Sequence, residues 1–455
     1  MKTILILGAG LSASSLIRYL LENSTIYNWK LRIVDQDMEM VNRKIGGHPN
    51  GMALSFNALD ANERRPEISA ADLVISMLPA RFHVEIARDC INFKTNLITP
   101  SYISAEMADL NEAAKDAGIV IMNEIGVDPG IDHMSAMKII HAIQDKGGKV
   151  TSFKSFCGGL IAPESDDNPW NYKFTWNPRN VVLAGQGGAS CFLDHKEYKY
   201  IPYNRLFSRL AKIDIEGYGS FEGYANRDSL SYRRTYGIDD VPTIYRGTLR
   251  RPDYCQAWNV FIELGMTDDS YKMENSESLT PRSFLNAYLP YHLSRSVEDK
   301  LKDFLRADRI HLFEKFEWLG LFEKDEPIGV HDASPAQMLE KILVDKWKLG
   351  KEDKDMLVMY HEFEYEFEEQ NYSITASMVN IGEDQMYTSM ANTVGLPVAI
   401  ASKMILNGDL KTTGVTLPIQ PEVYNPILEE LESFDIRFVE LETQLDCLIT
   451  NKDIL

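Results

Sequence analysis

The stretch "ILILGAGLSASSLIRYL" at residues 4–20 decides the fold. Four apolar residues run directly into Gly8, Gly10 and Ala13, and a helical pattern follows. Small residues at this spacing allow a tight turn, the close approach of a pyrophosphate, and close packing of the helix on a sheet. The helix N-terminus offers free N–H groups to that phosphate. The stretch therefore predicts a dinucleotide-binding domain at the start of the chain.

Short apolar runs continue through the first third of the chain. Together with the first they are six strand candidates, at 3–8, 31–34, 53–56, 73–76, 96–99 and 119–122. Their apolar residues are continuous, as expected of parallel strands that helices cover on both faces. Helical patterns at 82–93 and 104–118 separate some of the runs. The sequence therefore predicts an α/β fold with a Rossmann-type doubly wound parallel sheet.

Asp35 ends the second strand candidate, in the segment "DQD". An acid at this offset from the glycine loop accepts hydrogen bonds from the ribose hydroxyls of the adenosine. Its charge would repel the additional phosphate of NADP, and "DQD" contains no arginine to hold that phosphate. We therefore expect NAD as the cofactor in preference to NADP.

The bulk composition excludes several classes of protein. A length of 455 residues suggests two or three domains, and a formal net charge of -20 argues against a nucleic-acid partner. The five cysteines (Cys90, Cys157, Cys191, Cys255 and Cys447) form no CxxC pair, which argues against a disulfide framework and a structural zinc site. We recognise no secretory signal and no apolar run that could span a bilayer. We expect a soluble cytoplasmic protein with no membrane partner.

The pattern changes after residue 150. Strand-like pieces rich in glycine and aromatic residues extend to about residue 285, and charged amphipathic helices follow to about residue 350. The run "HEFEYEFE" at 361–368 alternates strictly, which indicates a half-exposed antiparallel strand. The last part returns to a helix and ends on a strand-like segment, "RFVELE" at 437–442.

Long and unusual motifs run in the same order as in one known family. They are "TPSYIS" (99–104), "MNEIGVDPGIDHM" (122–134), "SFCGGLIAPESDDNPWNYKFTWNPR" (155–179), "NRDS" (226–229), "TIYRGTLR" (243–250), "FEWLGLF" (316–322) and "YTSMANTVGLPVAIASKMIL" (387–406). Over essentially its full length the chain resembles the glutamate-forming saccharopine dehydrogenases, also called saccharopine reductases.

The resemblance implies three parts and a homodimer. A dinucleotide-binding domain would comprise 1–130 and 392–455, and a mixed α/β substrate-binding and dimerisation domain would comprise 131–285 and 353–391. A helical domain would be inserted at 286–352.

The resemblance also implies a reaction of lysine metabolism. Saccharopine and water are interconverted with glutamate and 2-aminoadipate 6-semialdehyde, by hydride transfer at the secondary amine and hydrolysis of the resulting imine. Two alternatives stay open at this point. The chain could act on another amino-acid-derived amine, such as carboxynorspermidine or lysine, or it could be a catalytically silent NAD-binding protein.

Site residues carry over from the family position by position. Cofactor contacts fall on Ala9, Gly10, Leu11, Ser12, Val34, Asp35, Gln36, Asn57, Ala58, Leu78, Pro100, Ser101, Val127, Asp128, Pro129 and Asn177. Substrate contacts fall on Ser101, Tyr102, Asp128, Arg227, Arg246, Gly247 and Thr248. The NADP-using fungal members carry an arginine where this chain has Gln36, which agrees with the expectation of NAD.

Chemical reasoning gives some of these residues roles. Saccharopine carries three carboxylates, and the guanidinium groups of Arg227 and Arg246 suit them because each can bind a carboxylate through two parallel hydrogen bonds. Asp128 and Tyr102 are candidates for acid–base catalysis, and Cys157 is a further catalytic candidate.

The stretch "GVDPGIDH" at 126–133 raises the possibility of a metal site. Asp132 and His133 are adjacent, so on a helix their side chains diverge, and hydride transfer needs no metal. We therefore predict no metal, a turn in which only Asp128 is functional, and a structural role for His83, His141 and His361.

Overall fold

The computed structural model of the protein describes residues 1–445, and Cys447 lies outside them. The strands are β1 Lys2–Leu7, β2 Trp29–Val34, β3 Gly51–Leu54, β4 Leu73–Ser76, β5 Asn96–Ile98, β6 Val120–Met122, β7 Lys149–Ile161, β8 Ser190–Asp194, β9 Glu197–Ile201, β10 Leu210–Ile215, β11 Gly219–Ala225, β12 Thr243–Arg250, β13 Asp355–Phe367, β14 Gln370–Ile381, β15 Gly414–Thr416 and β16 Val439–Leu445. The α-helices are α1 Ser14–Tyr27, α2 Met38–Ile45, α3 Ala61–Ser69, α4 His83–Phe93, α5 Ala105–Ala108, α6 Asn111–Ala117, α7 Ile131–Asp145, α8 Pro178–Val182, α9 Tyr232–Thr235, α10 Tyr254–Leu264, α11 Pro281–Tyr288, α12 Val297–Arg309, α13 Phe313–Trp318, α14 Pro335–Lys346, α15 Ser389–Asn407 and α16 Pro421–Leu431.

The first sheet is parallel and has seven strands in the order β15-β6-β5-β4-β1-β2-β3. The chain starts at β1 and winds outward in both directions, because β1 pairs with β2 on one side and with β4 on the other. Every residue of β4 and β6 is buried, as the continuous apolar runs predicted. The doubly wound fold class is confirmed. The short strand β15, from late in the chain, extends the sheet beyond β6.

Helix α15 packs against α1 at very short range. A Cβ atom added to Gly395 of α15 would lie 2.8 Å from the backbone nitrogen of Leu16, so only glycine permits this approach. The start of α15 is held by the buried Asp355, whose carboxylate accepts hydrogen bonds from the N–H groups of Ser389 (2.5 Å) and Met390 (3.0 Å). By length and composition alone α15 could cross a membrane, but 83% of its apolar window is buried in the folded chain.

The second sheet has nine strands, in the order β10-β11-β12-β7-β13-β14-β16, with β8 paired to β12 and β9 to β8. Strands β12 and β7 run parallel, and their register places Arg246 opposite Ser155 and Thr248 opposite Cys157. In β13 the residues of "HEFEYEFE" alternate between buried and more exposed positions, which confirms the predicted alternation.

The chain divides into two compact units. The first comprises 1–149, 354–359 and 378–441, and the second comprises 150–353, 360–377 and the described residues from 442 onward. The first unit contains the parallel sheet, and the second contains an aromatic core built around Trp170, Trp258 and Trp347. Helices α12 to α14 lie in the second unit, and the separate helical domain at 286–352 stays a prediction.

Candidate functional site

The glycine loop follows β1 directly. Gly8 has a φ of +93°, which an L side chain rarely adopts, and its N–H donates to the carbonyl of Val34 at 2.9 Å. A Cβ atom added to Gly10 would meet no heavy atom within 4 Å, so the loop is open on that side. Ala13 is buried immediately before α1. The loop therefore fits a dinucleotide, whose pyrophosphate needs an open backbone surface beside a helix start.

Two charged side chains hold this loop in place. The carboxylate of Asp35 accepts hydrogen bonds from the N–H of Ala9 (2.8 Å) and from the N–H of Asp37 (3.1 Å). The amine of Lys44 donates to the carbonyls of Ala9 (2.7 Å) and Gly10 (2.6 Å). Burial lowers the pKa of Lys44 to about 8, although the nearby Asp35 charge opposes this change. The sequence reasoning missed Lys44, because nothing in α2 marks a lysine that turns inward.

The other predicted cofactor contacts of the first unit lie after successive parallel strands. Each group lies at the carboxyl end of one strand: at the end of β2 are Val34, Asp35 and Gln36, after β3 Asn57 and Ala58, after β4 Leu78, after β5 Pro100 and Ser101, and after β6 Val127, Asp128 and Pro129. The carboxyl ends of parallel strands share one edge of a sheet, which is where ligands of such folds bind. In the second unit, Asn177 accepts a hydrogen bond from the N–H of Arg179 and caps α8. The roles of all these residues in binding stay predictions.

The structure brings Tyr102 and Asp128 together. The hydroxyl of Tyr102 donates to Oδ1 of Asp128 at 2.9 Å. Tyr102 is 39% exposed and Asp128 is half-buried, so both can be reached from solvent. Ser101 lies beside Tyr102 in the chain, and its hydroxyl is 2.8 Å from Nε2 of His83. A phenol, a carboxylate and a serine hydroxyl thus meet at the carboxyl edge of the parallel sheet.

The turn "GVDPGIDH" is stabilised by its own polar groups. Asp132 accepts hydrogen bonds from the N–H groups of Gly130 (2.6 Å) and His133 (2.9 Å). The imidazole of His133 lies 2.7 Å from the Glu124 carboxylate, and the Asp128–Pro129 peptide bond is cis. Among residues 1–445 no three His, Cys, Asp or Glu side chains are grouped so that they could hold a metal ion. These contacts give Asp132 and His133 a role in holding the turn and the start of α7.

Several predicted substrate residues lie on β12 in the second unit. Arg246 is 5% exposed, its backbone N–H donates to Oγ of Ser229 at 2.9 Å, and its guanidinium lies 4.1 Å from the ring centre of Tyr232. Thr248 shares a face of the strand with Arg246, because it lies two residues further on. The register places Cys157 on that same face, opposite Thr248. The structure therefore groups one predicted cation with two predicted polar contacts.

Arg227 and Gly247 are placed differently. Arg227 is exposed after β11, with a φ of +43°, and its carbonyl accepts from the N–H of Cys191 at 2.8 Å. A Cβ atom added to Gly247 would lie 2.6 Å from the ring of Phe156. Glycine at this position is therefore required by packing, whatever it contacts in a ligand.

Arg250 continues the face of Arg246 but differs from it in surroundings. It is 3% exposed, and the ring centres of Tyr172, Tyr224 and Tyr254 lie 5.1 to 5.8 Å from its guanidinium carbon. Such ring faces stabilise a buried cation. We therefore assign Arg250 to the core of the second unit.

Two family models cover almost the whole chain. Residues 4–122 match the saccharopine dehydrogenase NADP binding domain, and residues 126–436 match the saccharopine dehydrogenase C-terminal domain. The chain belongs to the saccharopine dehydrogenase family. This confirms the family predicted from the motifs.

Individual relatives agree with the family assignment. The chain is 34% identical to saccharopine dehydrogenase [NADP(+), L-glutamate-forming] of Saccharomyces cerevisiae, over 95% of this chain and 97% of that protein. It is 35% identical to the mitochondrial alpha-aminoadipic semialdehyde synthase of Rattus norvegicus, over 96% of this chain but only 47% of that protein, so it spans about half the length of that relative. The solved apo saccharopine dehydrogenase (L-Glu forming) of S. cerevisiae matches with a TM-score of 0.88 at 31% identity, over 97% of this chain and 100% of that one.

The expectation of NAD as the preferred cofactor is wrong. The matching family model is an NADP binding domain, and the relatives from S. cerevisiae, Schizosaccharomyces pombe and Pyricularia oryzae are named as NADP(+) enzymes. The expectation treated Asp35 as a free carboxylate facing the ribose. In the structure both its oxygens accept backbone N–H groups, and its charge interacts with that of Lys44. An acid that holds the glycine loop in this way is poor evidence for cofactor preference.

Proposed function

We propose that this chain is an NADP-dependent saccharopine dehydrogenase of the glutamate-forming kind. Saccharopine, NADP+ and water would give glutamate, 2-aminoadipate 6-semialdehyde, NADPH and a proton. The observation that carries the proposal is the Tyr102–Asp128 pair at the carboxyl edge of the dinucleotide-binding sheet, in a chain that aligns with the S. cerevisiae enzyme over nearly its full length.

The glycine loop and the strand ends would hold the cofactor. The backbone from Gly8 to Ser12 would contact the pyrophosphate, and Asp35 and Lys44 keep that backbone in position. When bound there, NADP+ supplies a hydride acceptor for the carbon next to the secondary amine of the substrate.

Asp128 and Tyr102 would act on the amine and its hydrolysis. The carboxylate of Asp128 is an acceptor for an amine proton, and the Tyr102 hydroxyl orients that carboxylate by donating to Oδ1. The same hydroxyl is 39% exposed, so it can also contact the attacking water. The buried guanidinium of Arg246 and the exposed one of Arg227 supply cations for the carboxylates of saccharopine.

A spectrophotometric assay tests the proposal. Purified protein is mixed with saccharopine and NADP+, and NADPH formation is followed by absorbance. Asp128→Asn should lower kcat by about 100-fold or more, since general acid–base groups contribute at least that much. Asp116→Asn changes an exposed acid of α6 and serves as the control. The proposal fails if the wild type binds NADP+ but forms no NADPH with saccharopine, or if Asp128→Asn matches the control.

We also expect the enzyme to work in lysine metabolism, in the cytoplasm and as a homodimer. Light scattering on the purified protein checks the dimer, and a monomer at micromolar concentration would contradict it.

A further inference from the structure

The imidazole of His83 lies among three hydroxyl groups. His83 begins α4 and is 2% exposed. Its Nδ1 is 2.9 Å from Oγ of Ser76, which ends β4. Its Nε2 is 2.8 Å from Oγ of Ser101 and 3.1 Å from Oγ1 of Thr99, both of which follow β5. No local pattern in the sequence joins these residues, and the sequence predicts only a structural role for His83.

Buried hydroxyl groups face both nitrogens of the ring. Ser76 is fully buried, and among the described residues the side-chain partner of its hydroxyl is Nδ1 of His83. Thr99 is equally buried and its hydroxyl lies at Nε2, so the buried hydroxyls allow a hydrogen on either nitrogen, and only a hydrogen on Nε2 lets the ring donate to Ser101. Burial also lowers the pKa of His83 to about 4, so the ring is neutral near pH 7.

A hydrogen on Nε2 sets the direction of the Ser101 hydroxyl. Nε2–H then donates to Oγ of Ser101 at 2.8 Å, with Thr99 as a second acceptor at 3.1 Å. A serine oxygen that accepts from the ring keeps its own hydrogen available for another acceptor. Ser101 is half-buried beside Tyr102, at the edge of the sheet where ligands are expected.

We propose that His83 carries its hydrogen on Nε2 and is a positioning residue that presents the O–H of Ser101 as a hydrogen-bond donor to a carboxylate of the substrate. The inference rests on the proposed function, since the substrate it assumes is saccharopine. Ser76 fixes the ring through Nδ1, the ring fixes Ser101 through Nε2, and Ser101 contacts the ligand. No proton is transferred along this chain of hydrogen bonds.

A double-mutant cycle on activity tests the coupling. Ser101→Ala should raise the KM for saccharopine about 10-fold, as expected for the loss of one hydrogen bond to a charged group. His83→Phe, which keeps a ring of similar size, should raise KM by a similar factor, and the double variant should be no worse than Ser101→Ala alone. His83→Gln should restore most of the affinity, because its amide N–H₂ can donate from near the position of Nε2. Ser69→Ala is the matched control, because the Ser69 hydroxyl donates to the carbonyl of Pro66 within α3, and it should leave KM unchanged.

Two further readouts separate the possible failures. The ¹⁵N shifts of His83 in the wild type should show a neutral ring with the hydrogen on Nε2, and a hydrogen on Nδ1 would overturn the inference whatever the activity. The Kd for NADPH, measured by fluorescence, should change less than about twofold in His83→Phe and His83→Gln. Additive effects of the two substitutions on KM would also overturn it, as would loss of NADPH affinity alone. If the wild-type protein does not turn over saccharopine, that result contradicts the proposed function and not the role of His83. The ¹⁵N experiment still decides the tautomer of His83.

Discussion

Replacement of Arg246 by methionine is the sharpest test of substrate recognition. The backbone N–H of Arg246 is held by Ser229, and its guanidinium lies 4.1 Å from the ring centre of Tyr232. Because the side chain is 5% exposed, it occupies a defined position and loses little freedom when it binds an anion. We expect it to form two parallel hydrogen bonds to one carboxylate of saccharopine.

The size of the effect follows from the two hydrogen bonds. Each hydrogen bond to a charged group contributes about 1.5–3 kcal/mol, so their joint loss costs about 3–6 kcal/mol. At about 1.4 kcal/mol per factor of ten, kcat/KM for saccharopine should fall by roughly 100- to 10,000-fold, mostly through KM. Arg246→Lys keeps the charge but loses the paired geometry, so its loss should be about 10-fold.

Initial rates of NADPH formation across a range of saccharopine concentrations give the required constants. Arg233→Met is the matched control, because Arg233 also lies over a ring, at 5.7 Å from the centre of Tyr198, and is not among the predicted substrate contacts. The Tm and the Kd for NADPH should stay close to wild type in Arg246→Met. A KM within twofold of wild type, or an equal loss in the control, would refute the assignment of Arg246 to the substrate.

Three other substitutions probe the fold and the cofactor site. Gly10→Ala should weaken NADPH binding about 10-fold or more without lowering the Tm, because the added methyl group meets no protein atom but occupies the open side of the loop. Fluorescence titration gives the Kd for NADPH, and an unchanged Kd would contradict this prediction. Burial raises the pKa of Asp355 from 3.8 to about 6. The contribution of Asp355 to the free energy of unfolding is therefore fully present below about pH 4 and is lost as the pH rises through 6, a change of ~3 kcal/mol. Asp355→Asn should remove that part of the pH dependence of the free energy of unfolding measured with urea, and an equal slope in both proteins would be inconsistent with it. Arg64→Met leaves the buried Asp89 carboxylate with the half-exposed Arg65 as its remaining arginine partner, so the free energy of unfolding should fall by about 3 kcal/mol. The double variant Arg64→Met/Asp89→Leu should lose less stability, because it removes the buried charge as well. A double variant as unstable as the summed single variants is the contrary result.

The strands of the dinucleotide-binding sheet were predictable because their signal is local. Residues 4–7 of β1 and all of β4 and β6 are continuous buried runs that must be covered on both faces, and the helices between the strands leave a parallel sheet as the arrangement that can cover them. The strand β3 begins two residues before the predicted run and is only partly buried, because it lies at the edge of the sheet. The glycine loop was predictable for the same kind of reason, since the small residues and the strand before them are neighbours in the chain.

Cofactor preference shows where local reasoning failed. Asp35 stands at a position where an acid often forms hydrogen bonds with the ribose of the cofactor, and the sequence shows only its charge. The hydrogen bond to Ala9, from 26 residues earlier, and the approach of Lys44 from α2 form only when the chain is folded. Both change what the carboxylate can do.

By itself the sequence determined the fold class, the family and the motifs that supply the site. Only the tertiary structure decided which polar residues act together. It joined Ser76, His83 and Ser101 into one hydrogen-bonded group. It also gave Arg246 and Arg250, which lie on one face of β12, different surroundings, since Arg246 contacts one tyrosine ring and Arg250 lies among three. The physical reason is that an apolar run has one stable environment, whereas a polar side chain takes its role from the partners that distant parts of the chain bring within about 3 Å.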